Sequence, residues 1–351
     1  MRVIGVICEY NPFHEGHKYL LKQARALYPD EQTAIVCVMS GDFVQRGEPA
    51  VYDKYSRAKS ALEGGADLVL ELPAPYSCSV AEHFAAAGIS IMERLGVVDD
   101  LCFGSEGKDE NTLLEIALRL ESGEFGQAVE RMRKQNPNHS YPKRLDDAYL
   151  ALYGEPLALP SNEILGVRYL TSLKKEGSAI RPHALKMLGG VCASKHRAAL
   201  KNEPTFSGAT LEKGGRAILA MLDLSGKNDR FSKNARYCSD LKALFERVRS
   251  SNDTDARLKR ELLFTLFDLP ADYEKTPPAF TVLLGANETG RAVLSEMEKK
   301  GSIPLISKQS AGVKEVGSAF EEYLRLQRLY ALFLTSAPHG NFLFEKRPVI
   351  L

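Results

Sequence analysis

Two histidines three residues apart, His14 and His17, stand in the run Ile7-Cys8-Glu9-Tyr10-Asn11-Pro12-Phe13-His14-Glu15-Gly16-His17-Lys18-Tyr19-Leu20. The apolar stretch before them reads as a strand, Pro12 stops it, and Gly16 lets a backbone approach a ligand closely. From Gly16 onward apolar side chains recur at spacings near three and four, so the pair sits at the start of a helix. Free N–H groups and the positive end of the helix dipole favour an anion there. Two imidazoles one turn apart can donate hydrogen bonds to phosphate oxygens as charge builds on them during substitution at phosphorus. The competing readings are a fortuitous surface pair and half of a metal site. Metal ligation is the weaker of these, because no His or carboxylate follows at helical spacing and H-E-x-x-H is absent. No metal ligands are assigned.

A second polar stretch, Ser40 to Glu48, follows another apolar run. It offers Gly41 for close approach and Asp42, Gln45 and Arg46 as polar groups; Asp42 and Arg46 join the histidines as candidate catalytic residues. Arg46 can grip phosphate or carboxylate bidentately, or it can spend its charge on a surface pair with Glu48 or Asp53. No Walker-type G-x-x-x-x-G-K-[ST] and no G-x-G-x-x-G after a strand occur, which removes the main support for kinase and dehydrogenase readings.

The elements that must position these residues are legible. Arg2 to Cys8, Thr33 to Met39, Asp67 to Leu72 and Leu101 to Phe103 read as strands, with helical patterns over Gly16 to Leu27, Asp53 to Gly64, Val80 to Leu95 and Glu110 to Leu120. Continuous apolar strands separated by helices predict a doubly wound parallel α/β sheet covered on both faces, which binds ligands at the carboxyl ends of its strands. A helix Asn162 to Glu176 and an extended piece near Ile180 follow, and the α/β part is expected to close near residue 215. Residues 216–351 read as a mainly helical second domain, with helices over Gly214 to Leu222, Tyr237 to Arg249, Asp255 to Leu266 and Phe320 to Phe333 and an extended Phe280 to Leu284.

A net charge of +1 gives no global attraction to a polyanion, so a nucleic-acid surface must be local. The candidate is Lys227, Arg230, Lys233, Arg236, Lys242, Arg247, Arg249, Arg257, Lys259 and Arg260, with Phe231 and Tyr237 available for stacking on bases. Interleaved Asp229, Asp240, Glu246, Asp253 and Asp255 equally suit an ordinary solvated helical face. No run approaches the roughly 18 apolar residues of a membrane span, so a cytoplasmic protein is expected, with no membrane partner. Six cysteines without a C-x-x-C pair predict neither disulfides nor structural zinc. His83, His139, His183, His196 and His339 have no spacing partner and read as structural or surface residues.

Asn11-Pro12-Phe13-His14-x-Gly16-His17 resembles the nucleotide-binding signature of the HIGH-type nucleotidyltransferases, a Rossmann-like class that holds ATP phosphates with its paired histidines. Four further blocks, Val38 to Ala50, Asp67 to Pro73, Phe103 to Glu106 and Ser161 to Gly166, are similar to the tRNA(Met) cytidine acetate ligase family. The likeness is close over residues 1–185, thin over 186–220 and loose beyond. It implies ATP as a substrate with Mg2+, acetate as the activated acid, and tRNA as the acceptor, acetylated on N4 of the wobble cytidine. It carries the ATP site onto residues 7–20 and onto Gly104, Asn162 and Lys186, with Arg181 as a rival to Lys186. By residue type alone Gly104 is equally a turn glycine and Asn162 an N-cap. The family's Ser-Ala-Thr-x-Ile-Arg block stands here as Gly208-Ala209-Thr210-Leu211-Glu212-Lys213, and Lys lacks the bidentate fork of Arg. Two rivals therefore stay open: an enzyme that adenylylates another small molecule, and a nucleotide- or tRNA-binding relative with reduced turnover. The oligomeric state is not encoded in any feature of the sequence.

Overall fold

The computed structural model describes residues 1–189, 193–201, 207–269, 272–334 and 342–351; Cys192 and His339 lie outside them. In chain order the first elements are β1 Arg2–Cys8, α1 Glu15–Ala26, β2 Thr33–Ser40, β3 Phe43–Val44, β4 Glu48–Pro49, α2 Lys54–Glu63, β5 Leu68–Leu72, α3 Ala81–Leu95 and β6 Asp100–Ser105. Helices α4 Glu110–Leu120, α5 Gly123–Gln135, α6 Tyr141–Tyr153 and α7 Ser161–Glu176 precede β7 Arg181–Lys186 and α8 Ala193–Lys201. Then come α9 Gly215–Leu224, α10 Arg230–Ala235, α11 Leu241–Val248, α12 Asp255–Phe267, β8 Thr281–Ala286 and α13 Glu288–Lys300. The chain ends through β9 Leu305–Ile306, α14 Gln309–Val316, α15 Ser318–Tyr330, α16 Phe342–Glu345 and β10 Val349–Ile350.

The sheet runs β10-β8-β5-β2-β1-β6-β7, with β9 beside β8. Strands β5, β2, β1, β6 and β7 are mutually parallel, so the chain winds outward from β1 in both directions, the doubly wound arrangement expected. That reversal opens a crevice at the carboxyl ends of β1 and β6, where the loops carrying His14 and Ser105 emerge. Period-two alternation feeds both cores: Ile4 and Val6 enter one, Val3 and Ile7 the other, and all eight residues of β2 are buried.

Beyond residue 215 the chain is mainly helical, yet it also returns β8 to the sheet, antiparallel to β5 with Leu68 opposite Ala286. Sequence reading found Phe280 to Leu284 extended but gave it no partner, because pairing across some 200 residues leaves no local trace. Thr281 Oγ1 donates to the Glu71 carbonyl at 2.7 Å, tying this strand to the end of β5. The helix expected over Tyr237 to Arg249 begins only at Leu241, since the Asp240 carboxylate caps it by accepting from Ala243 N at 2.8 Å.

Candidate functional site

His14 is the N-cap of α1, with extended backbone at φ −151° and ψ 172°. Its Nδ1 accepts from Gly16 N at 3.1 Å, while its own N–H donates to His17 Nδ1 at 3.3 Å. This reciprocal cap places two imidazoles where a Ser and a Glu usually stand. Both Nδ1 atoms act as acceptors, so each neutral ring carries its proton on Nε2. The rings stack 3.6 Å apart at 18°. Burial draws the His17 pKa down to about 3, with the neighbouring His14 and His196 adding to the effect. Burial and His196 likewise lower His14. The helix start therefore holds two uncharged rings, each with one N–H donor that no described residue takes up.

The loop is locked from beneath. Tyr10 adopts a left-handed φ of 47°, and its ring packs edge-on against Phe13 at 4.9 Å and tilted against His17 at 4.8 Å. Phe13 occupies the space that Gly64 leaves, for a Cβ there would lie 2.2 Å from Phe13 Cζ. Asn11 is buried and accepts from Val51 N through Oδ1 at 2.8 Å. The buried Arg57 guanidinium donates to the carbonyls of Glu9 at 2.7 Å and Ser40 at 2.9 Å, and also to those of Gly41 and Tyr52. One side chain so ties together the carboxyl ends of β1 and β2. The Glu9 carboxylate completes the tie by accepting from Gln45 N at 2.7 Å. Cys8 packs with its thiol held protonated by burial.

Other expected site residues divide. Asp42 lies in a buried cluster: Lys54 Nζ lies 3.0 Å from Asp42 Oδ2, 3.1 Å from Glu71 Oε1 and 2.7 Å from Tyr323 Oη. Tyr323 in turn donates to Glu71 Oε2 at 2.6 Å. The three ammonium protons meet three acceptors, and the two carboxylates outweigh burial to keep Lys54 charged. Asp42 is therefore a structural partner of Lys54, a residue the sequence reading passed over. Gly41 leaves room for the Glu71 carboxylate, 2.0 Å from where a Cβ would sit, rather than for a ligand. Arg46 is exposed on the β3–β4 turn; its two suggested partners are engaged elsewhere, Glu48 by Lys259 and Asp53 by Lys346.

Gly104 lies at the end of β6, where a Cβ would come within 2.8 Å of Met187 Cγ. Asn162 is not the cap of α7, since that position is Pro160; its amide donates to Glu106 Oε1 at 2.7 Å and touches Met187 Sδ at 2.9 Å. The adjacent Glu163 is buried and gathers Gly107 N, Lys108 N and the Lys108 ammonium, fixing the loop after β6. Burial would raise its pKa, but the Lys108 contacts prevail and hold it below the ordinary range. Lys186 stands exposed at the carboxyl end of β7 opposite Ser105, whereas Arg181 begins that strand opposite Asp100 and pairs with it at 3.0 Å. Five residues of strand separate the two by about 16 Å. Only Lys186 is on the side of the histidine loop, and Arg181 is set aside.

The block at 208–213 packs near the loop through Ala209 N to Val51 O at 2.8 Å, and Lys213 Nζ donates to the Gly208 carbonyl. In the basic run, Phe231 is buried and unavailable for stacking. Arg230 is held by Asp253 at 2.6 Å and by Glu261; Arg236 pairs with Asp223 at 2.9 Å, Arg249 with Asp255 at 2.5 Å, and Lys227 with Asp268 at 2.6 Å. Tyr237, two-thirds exposed, lies under the Arg247 guanidinium at 5.2 Å. His196, read as a structural or surface residue, is exposed, and its ring stacks on His14 at 5.4 Å and 14°. No spacing signal could have joined residues 182 positions apart.

A doubly wound sheet with paired histidines at its switch point defines a nucleotidyl transferase, and the model of the HIGH Nucleotidyl Transferase family matches residues 1–212 and 222–341. The tRNA(Met) cytidine acetate ligase of Fervidobacterium nodosum is 32% identical, covering 88% of this chain and 84% of its own. That of Caldanaerobacter subterraneus is 31% identical over 99% and 98%. A crystal structure of Thermotoga maritima TmcAL bound with alpha-thio ATP superposes over 100% of both chains, with a TM-score of 0.88 at 30% identity. The chain belongs to the HIGH nucleotidyl transferases and, within them, to the tRNA(Met) cytidine acetate ligase family.

Proposed function

We propose that this protein is an ATP-dependent ligase that activates acetate as acetyl-adenylate and acetylates N4 of the wobble cytidine of elongator tRNA(Met). An acetate oxygen attacks the α-phosphorus, the bond to the bridging oxygen breaks, and pyrophosphate leaves. The cytidine N4 amine then attacks the acetyl carbon, AMP departs, and the amine loses a proton. The observation that carries the first step is the pair of Nε2–H donors at the start of α1, set at the crevice between β1 and β6. Neutral donors bonded to phosphate oxygens gain strength as charge collects there, which favours the transition state over the bound ground state.

The ATP site is assigned to the loop 7–20 with His14 and His17 on the phosphates, to Gly104 and Asn162 beside the end of β6, and to Lys186 as a cation on the same side; exposed Arg46 is the acetate or phosphate clamp. Mg2+ travels with the nucleotide as part of the substrate. Among the described residues no group of three His, Cys, Asp or Glu is placed to hold a metal ion, so no side chain is assigned to it. The tRNA surface narrows to exposed Lys233, Lys242 and the Tyr237–Arg247 stack. No helix among the described residues is long and apolar enough to cross a membrane, and we place the enzyme in the cytoplasm with its tRNA.

The test is incubation with MgATP, labelled acetate and total tRNA, followed by nucleoside analysis. Label in N4-acetylcytidine, lost when either ATP or tRNA is omitted, is the expected result. Acetate-dependent pyrophosphate release without labelled nucleoside would instead mean an adenylylating enzyme with another acceptor.

A further inference from the structure

Helix α8 brings a further imidazole to the histidine loop. His196 projects from this helix onto the outer face of His14, giving three nearly parallel imidazoles in the order His17, His14, His196, with centroid separations of 3.6 and 5.4 Å. The next residue fastens the helix to the loop: Arg197 donates to the Asn11 carbonyl at 2.8 Å and to Ser194 Oγ at 3.1 Å. This guanidinium reaches the backbone just ahead of the cap, so α8 and the histidine loop are held as one unit. The His196 ring is exposed and bonds to no described residue, leaving both of its nitrogens unspent.

After burial, the neighbouring His196 helps to lower the pKa of both other rings. Such a stack gains nothing in the free protein from its third ring, which has neither hydrogen bond nor ion pair to offset the ordering of its side chain. An anion that accepts from successive rings supplies that compensation. We infer that His196 is a third phosphate-binding imidazole, extending the grip of His14 and His17 along a polyphosphate chain. The inference rests on the ATP reading above and adds a residue to it.

The test compares ligands that differ in phosphate. Dissociation constants of ATP, inorganic triphosphate and adenosine are measured for the intact protein, His196→Ala and His196→Lys. His196→Ala is expected to weaken ATP and triphosphate about tenfold, the loss of one hydrogen bond to a charged oxygen, and to leave adenosine unchanged. His196→Lys restores most of the polyphosphate affinity. Equal loss for ATP and adenosine would make His196 a scaffold residue and overturn the proposal, as would unchanged triphosphate binding in the Ala variant. If His17→Ala abolishes ATP binding while His196→Ala does not alter it, the ATP reading stands and this inference alone falls. If the intact protein binds neither ATP nor triphosphate, both fall together.

Discussion

The loop 9–17 and the basic run 227–260 are both rich in nitrogen donors, and they dispose of them in opposite ways. In the run, guanidinium and ammonium groups are spent on neighbouring carboxylates: Arg230 on Asp253 and Glu261, Arg249 on Asp255, Lys227 on Asp268. In the loop, each imidazole turns only its acceptor nitrogen inward, to a backbone N–H, and keeps its donor. A count of positive charge therefore overstates what the run can bind, while two uncharged rings carry more binding capacity than their charge suggests. Loop substitutions should cost ligand binding with little stability, and run substitutions the reverse.

The largest effect is expected from His17→Ala. Acetate-dependent ATP–pyrophosphate exchange should fall by about 100- to 1000-fold, the usual cost of removing one donor from developing charge. The folded state should lose only about 1 kcal/mol for the broken cap. Exchange at the wild-type rate in a folded variant would remove the phosphate role. Arg230→Ala is the mirror image: a loss of about 2 kcal/mol in denaturant unfolding, because the nearly buried Asp253 loses its nearest cation, with ATP affinity unchanged.

Lys186→Ala should weaken ATP about tenfold and Lys186→Arg should not, whereas Arg181→Ala should leave ATP binding alone and cost only stability at Asp100. A loss of ATP affinity on Arg181→Ala alone would return the contact to the other end of β7.

A further expectation concerns the pH dependence of stability. His17 is depressed to about 3 in the folded protein, against an ordinary value of 6.5. Between those values the unfolded chain binds the extra proton, so stability rises with pH there and is lost as pH falls from about 6.5 towards 3. The slope from this one residue is at most about 1.4 kcal/mol per pH unit. Comparison of urea midpoints for wild type and His17→Asn across that window should show a shallower acid limb in the variant; identical limbs would mean that His17 titrates normally.

Local signals explain what the sequence made legible. Apolar runs of β1, β2 and β5 and the spacing of α1 to α4 set the doubly wound half, because burial on both faces writes itself into every residue of a strand. The histidine loop was legible for the same reason: its strand stop, cap and helix start are contiguous. The cluster around Asp42 was not legible because its members, Lys54, Glu71 and Tyr323, come from three other elements. Gly41 was read as an opening for a ligand, but its missing Cβ makes way for Glu71. Neither β8 as a sheet strand nor His196 as a neighbour of His14 leaves any trace in spacing. The part beyond residue 215 also supports the sheet directly, giving β5 its antiparallel neighbour β8 and Glu71 the Tyr323 hydrogen bond.

The tautomers of His14 and His17 test the central claim most directly. With histidine imidazoles labelled with 15N, and His14→Asn and His17→Asn variants to assign them among the seven histidines, long-range proton–nitrogen correlation spectra report which ring nitrogen is protonated. At pH 8 both residues should be neutral with the proton on Nε2, and both Nε2–H signals should move when MgATP is added. A proton on Nδ1, an imidazolium at that pH in the free protein, or signals indifferent to MgATP would contradict the assignment of these rings as the phosphate donors.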